Sequence, residues 1–226
     1  MKSSLLLVAA IALFSAKVHA QEAPLKISQV PASVAKLTAF VPTGWKIEKQ
    51  VNGDLNRDKV ADAALVLVRS GKTKDANGYA TARSRALVVA LKNGRSWKRV
   101  GVNNSLLMGT RDGGAFWGMM ETPVEVSIEK GILNVQQESG SRETSDSTHR
   151  FRYDARKRAF FLIGFEYKGN DRLTGGGRSV SSNFLTGASI ITDYATGTSN
   201  PTTKKARVST KLRTLESVSI EDRFGE

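Results

Sequence analysis

Four oxygen-bearing side chains recur at short intervals in residues 53–62: Asp54, Asn56, Asp58 and Asp62, within Gly-Asp-Leu-Asn-Arg-Asp-Lys-Val-Ala-Asp. A loop that wraps with these residues turned inward would aim their oxygens, together with the Val60 carbonyl, at one point, and Ca²⁺ accepts six to eight such oxygens. The same side chains suit a second chemistry, because short Asp and Asn side chains bond nearby backbone amides and fix a turn. Both readings follow from the spacing: a calcium loop and a self-bonded turn.

Few other residues can carry a reaction. The chain has no cysteine and two histidines, His19 and His149, so a zinc site of Cys and His ligands has no complete set. A nucleophilic triad would have to pair His149 with a serine such as Ser141, Ser145 or Ser147, yet no Gly-x-Ser-x-Gly elbow occurs. His149 is therefore expected at the surface or at a strand edge. Glu121, Glu125 and Glu138 could form a carboxylate pair for glycan hydrolysis, but alternation puts Glu125 and Glu129 on the solvated face of one strand. The glycines 175–177 precede no Lys-Ser or Lys-Thr pair and do not make a phosphate loop. Trp45, Trp97, Phe116 and Trp117 are candidates for a carbohydrate platform, with core packing as the plainer use of such rings.

Charge suggests a different kind of partner. Thirty-four Lys and Arg stand against 21 Asp and Glu, a formal net charge of +13. Two dense stretches stand out, Arg150, Arg152, Arg156, Lys157 and Arg158, and Lys204, Lys205 and Arg207 with Lys211 and Arg213. They either solvate exposed strands or bind an anionic envelope polymer or an acidic protein partner through a salt-dependent field.

The elements that must position these residues have mostly period-two signals. Residues 63–68 and 86–91 are continuous apolar runs, and the second ends at Asn93-Gly94, a hairpin dipeptide, before 96–102 resumes. Val124, Val126 and Ile128 alternate with polar residues up to Lys130-Gly131, and 132–136 continue beyond it. Segments 149–153 and 159–167 flank a turn at 154–157, and 188–194 form a later strand. A short helix is expected over 32–37, and surface loops over 139–147, 175–177 and 196–205. The fold class is mainly β: antiparallel sheets, sandwich-like or partial-propeller-like, with little helix. Residues 21–226 are expected to form one β-rich domain, with a subdivision near residue 80 as the alternative.

In residues 53–62 the chain resembles the FG-GAP calcium loop of integrin-like β-propeller repeats. Every element of that pattern is present except its internal glycine, where Lys59 stands, so the chain must hold a lysine in left-handed backbone or turn differently there. The resemblance implies Ca²⁺ as a cofactor held by Asp54, Asn56, Asp58, Val60 and Asp62. No second copy of the motif occurs, which argues against a complete propeller. Residues 87–186 are also similar to exported bacterial proteins that follow a single such loop with a β-rich module. The similarity runs through 113–114, 129–133, 139–141, 151–153, 162–164 and 183–187, and implies an architecture without a named reaction.

The start of the chain supports export. Lys2, an apolar run over 5–14 and the small residue closing Val18-His19-Ala20 are the parts of a cleavable signal peptide, 1–20, with Gln21 as the new first residue. Ser15 and Lys17 interrupt the run before it reaches membrane length, and no later segment is long and apolar enough, so the mature chain is expected to lack a transmembrane segment. The expected location is periplasmic or secreted, where a nucleic-acid partner is disfavoured. Without cysteines the fold must be held by its core. The expectation for function is an exported, non-enzymatic binding or structural protein, stabilised by calcium if the loop holds the ion. A hydrolase of envelope glycan and a binder of anionic polymers are the alternatives.

Overall fold

The computed structural model describes residues 24–71, 74, 77–79, 81–118, 120–197, 200–222 and 224, so the expected signal segment lies outside the described residues. Two open antiparallel sheets organise the chain. The first has five strands in the order β1 (Ser33–Val34), β5 (Ser96–Asn103), β4 (Arg85–Asn93), β3 (Asp62–Arg69) and β2 (Trp45–Gly53). The second is a seven-stranded meander, β6 (Val124–Glu129), β7 (Ile132–Gly140), β8 (Glu143–Asp154), β9 (Ala159–Asp171), β10 (Gly177–Asn183), β11 (Ala188–Tyr194) and β12 (Thr202–Arg207), each strand beside its sequence neighbour.

The continuous apolar runs become β3 and β4, which are buried on both faces and therefore have no solvent side to be polar. Ala64, Val66, Leu87 and Val89 face the second sheet and pack on Leu133, Val135, Phe151, Phe160 and Leu162. Leu65, Leu67, Ala86 and Val88 point the other way, under a cover made by Leu25, Val30, Phe40 and Trp45. Each fully buried Leu or Phe contributes roughly 1.5–3 kcal/mol, and these two layers stand in for absent disulfides. The first layer draws on both sides of residue 80, so the two sheets share one core.

The hairpins follow local turn chemistry. Lys130 (φ 52°) and Gly131 (φ 80°) form the β6–β7 turn with both residues left-handed, as a two-residue turn of matching twist requires. The β4–β5 hairpin forms as expected, although Asn93 pairs with Ser96 and the turn itself is Gly94-Arg95, one residue later than Asn-Gly. Three expectations need correction. Residues 32–37 are not a helix: Ser33 and Val34 pair with Lys98 and Trp97, followed by a 3-10 turn at Leu37–Phe40. The polar stretch 139–147 is largely strand, at the end of β7 and the start of β8. Thr202 to Lys205 belong to the edge strand β12. In each case hydrogen bonding to a neighbouring strand outweighs a locally polar or helix-compatible sequence.

Candidate functional site

The loop between β2 and β3 is built from its own side chains. Asp54 Oδ1 accepts the amides of Arg57 (2.6 Å) and Asp58 (3.2 Å), and its Oδ2 accepts that of Lys59 (2.8 Å). Asn56 Oδ1 accepts Asp58 N (3.0 Å), Asn56 Nδ2 donates to Asp58 Oδ2 (2.9 Å), and Asp58 Oδ1 accepts the amide of exposed Val60 (2.8 Å). Asp62 is fully buried, and its two oxygens accept Leu55 N (2.9 Å) and Lys92 N (2.8 Å). Burial raises its carboxyl pKa, with those two amides opposing the rise. Arg57 (φ 67°) and Lys59 (φ 68°) are left-handed, so the lysine adopts the backbone that glycine would supply. Such residues cost about 1–2 kcal/mol each, which the surrounding bonds must offset. Among the described residues no three His, Asp or Glu side chains gather where a cation could be held. The loop oxygens accept N–H groups, backbone ones except for the Asn56 side-chain amide on Asp58 Oδ2, which is the geometry of the self-bonded turn.

A second site lies on the inner face of the seven-stranded sheet. β8 and β9 run 12 and 13 residues against 8 for β3, and the surplus length carries a polar inner face. Register lays it out in rows: Val135, His149 and Phe165; then Gln137, Ser147, Tyr167 and Val180; then Ser139, Ser145, Gly169 and Arg178. All of these residues except Val135, Gln137 and Gly169 wall a cavity of about 280 Å³, bounded also by Met108 and Asp112 from the β5–β6 connection and by Ile220, Glu221, Asp222 and Phe224 from the C-terminal segment.

His149 sits in this wall and is 1 % exposed, on a central strand rather than at the expected surface or edge. Its ring lies 4.9 Å from Phe165 and 6.1 Å from Phe224. Among the described residues neither ring nitrogen has a hydrogen-bond partner. Burial pushes its pKa down to about 4 against a weaker pull from Asp222, so at pH 7 the ring is neutral, with one N–H donor and one lone-pair acceptor. The rest of the wall is well tied. Gln137 bridges Met108 N (2.6 Å) and Leu106 O (2.9 Å), Ser139 and Ser145 share a hydrogen bond (3.0 Å), and Asp112 accepts Gly109 N (2.7 Å). Arg178 donates to Asp193 (2.6 Å). The C-terminal segment is anchored by Arg213, which pairs with Asp222 (2.8 Å) and lies over the Phe224 ring. Ser147, His149 and Asp222 have the composition of a triad, but among the described residues neither imidazole nitrogen bonds to the serine or to the carboxylate.

The remaining candidates separate. Glu121 pairs with Arg83 and Glu125 with Lys49, and neither they nor Glu138 line the cavity. Trp45 is core, and Trp117 donates its Nε1–H to Glu138 O (3.0 Å) beside a partly exposed Phe116. Arg150, Arg152, Lys205 and Arg207 share the outer face of the seven-stranded sheet. Arg150 and Arg207 end one row through Gly164, Asn183 and Ala188, which at roughly 4.8 Å per strand puts their backbones about 19 Å apart. Arg156, Lys157 and Arg158 occupy the β8–β9 turn, Lys204 faces the other way from Lys205, and Arg150 is paired with Glu166 (2.9 Å).

Sequence reasoning missed Tyr167, Arg178, Asp222 and Phe224 as partners of His149. One signal was present: small polar residues alternate inward at Ser145 and Ser147 in the same phase as His149. Compared with protein-family models, curated proteins and solved structures, the chain has no match. The molecule is an open two-sheet β-protein with a lined cavity on the inner face of its larger sheet.

Proposed function

We propose that this is an exported, non-enzymatic β-sandwich binding module that takes a small ligand into the cavity beneath its C-terminal segment. The observation that carries the reading is the cavity wall itself: hydroxyls and aromatic rings surround a buried neutral imidazole, while the nearby carboxylates Asp112 and Asp222 are already bonded. Concave sites that mix apolar surface with a few convergent polar groups are where small ligands bind. Filling the wall is the test. Ligand-observed NMR with monosaccharides, inorganic phosphate and indole should show binding to the wild-type chain and not to Ser145→Trp; equal binding to both would end the reading. Export is tested separately: expression in a bacterial host should yield protein outside the cytoplasm that begins at Gln21.

The outer face supports a second reading, attachment to an anionic envelope polymer. What favours it is that Arg150, Arg152, Lys205 and Arg207, distant in sequence, lie on one sheet face in a chain of net charge +13. The FG-GAP-like loop enters neither reading as a metal centre; we infer a structural role for it, holding β2, β3 and β4 in register.

A further inference from the structure

We propose that the cavity recognises a neutral polyhydroxylated ring, a sugar unit, with the His149 imidazole in its wall turning toward the ligand as donor and acceptor; this deepens, and rests on, the binding reading above. Buried polar atoms without a partner are rare in folded proteins, and an imidazole unbonded at both nitrogens, 1 % exposed among Phe165 and Phe224, is dearer to keep than a leucine of similar size. The ring offers one donor and one acceptor, and a hydroxyl is the smallest group that answers either one.

The neighbours extend the same chemistry. Ser147 and Tyr167, side by side in register and both lining the cavity, have side-chain hydroxyls with no bond to another described residue. Charge narrows the class further. Three carboxylates, Asp112, Glu221 and Asp222, face the cavity against one guanidinium, Arg178, which donates to Asp193. An anion is therefore disfavoured here, although the chain as a whole is strongly basic. Phe165, Tyr167 and Phe224 add apolar surface to the wall beside these polar groups, as a sugar's mixed C–H and O–H surface requires, and the volume of about 280 Å³ suits a small ligand, not a long chain.

The single histidine outside residues 1–20 is also the natural reporter. In NMR spectra of the full chain, the His149 ring signals are identified by their loss in His149→Leu, which separates them from His19. Glucose, galactose, mannose and N-acetylglucosamine, each to about 100 mM, are the sugar probes, a ceiling that admits weak binding. At least one should move the His149 ring signals saturably, and Ser147→Val or Tyr167→Phe, each checked for folding by circular dichroism, should weaken that sugar about tenfold, the size of one lost hydrogen bond. A sugar that binds without moving His149, or equally well to both variants, overturns the proposal. If only inorganic phosphate or indole moves the ring, the sugar class falls and the binding cavity stands. If no probe moves it, both fall.

Discussion

A buried carboxylate that accepts two amides at once, as Asp62 does from Leu55 and Lys92, ties a loop to a strand beyond it. Removing it leaves those amides without their acceptor, and Asp62→Ala should cost about 2–4 kcal/mol in urea denaturation, against under about 1 kcal/mol for exposed Asp58→Ala. Because the loop oxygens are already bonded to N–H groups, the melting midpoint should be the same in millimolar calcium and in chelator. A calcium-dependent rise that Asp58→Ala abolishes would reassign the loop as a cation site. His149 makes the second prediction at this scale. Its folded pKa is about 4 and its unfolded value 6.5. Between those values the unfolded chain binds the extra proton, so the stability linked to His149 is full above pH 6.5 and is lost as pH falls toward 4, by up to about 3 kcal/mol. Asp112, Glu221, Asp222 and Arg178 face the same cavity, and Asp222 opposes the shift. Comparing wild type with His149→Leu isolates this contribution: the variant should lack the slope and be at least as stable at pH 7.

Among the elements, the β7–β8 rim of the cavity has the least tolerance. Gly140 sits at φ 143°, and a Cβ there would lie 2.2 Å from Glu143 O and 2.5 Å from Thr144 Cα, both backbone. Its own N–H donates to Gly113 O (2.9 Å) and its carbonyl accepts Phe116 N (2.7 Å), which pins the β5–β6 connection to the rim. Gly140→Ala should cost at least about 2 kcal/mol and speed proteolysis near residues 113–116, readable by urea melts and limited digestion. This rim was also the least legible part of the sequence. Alternation marked β6, because Val124, Val126 and Ile128 face a core, and left 139–147 looking like a loop, because there the inner face is serine.

Over the whole molecule, net charge is a property of composition, but its placement is not. If the outer face binds an anionic polymer, the wild-type chain should be retained on heparin with salt-dependent elution, and Arg152→Glu with Arg207→Glu should elute at distinctly lower salt. Retention that ignores salt, or is unchanged by the double reversal, would leave those charges as solvation only. Cavity and basic face lie on opposite sides of one sheet, so substitutions at one should add independently to substitutions at the other.

By itself the sequence determined what local pattern controls: an antiparallel β class, the β4–β5 and β6–β7 hairpins, the place of the Asp54 to Asp62 loop and the two continuous apolar strands. Local periodicity reports which way a side chain turns, and turn residues report where the chain reverses. Tertiary structure alone decided that Asp62 reaches the Lys92 amide, that His149 is buried without a hydrogen-bond partner among the described residues, and that Asp222 and Phe224 return to cover it. Those facts depend on segments far apart in the chain meeting across a sheet, and no spacing within one segment encodes them.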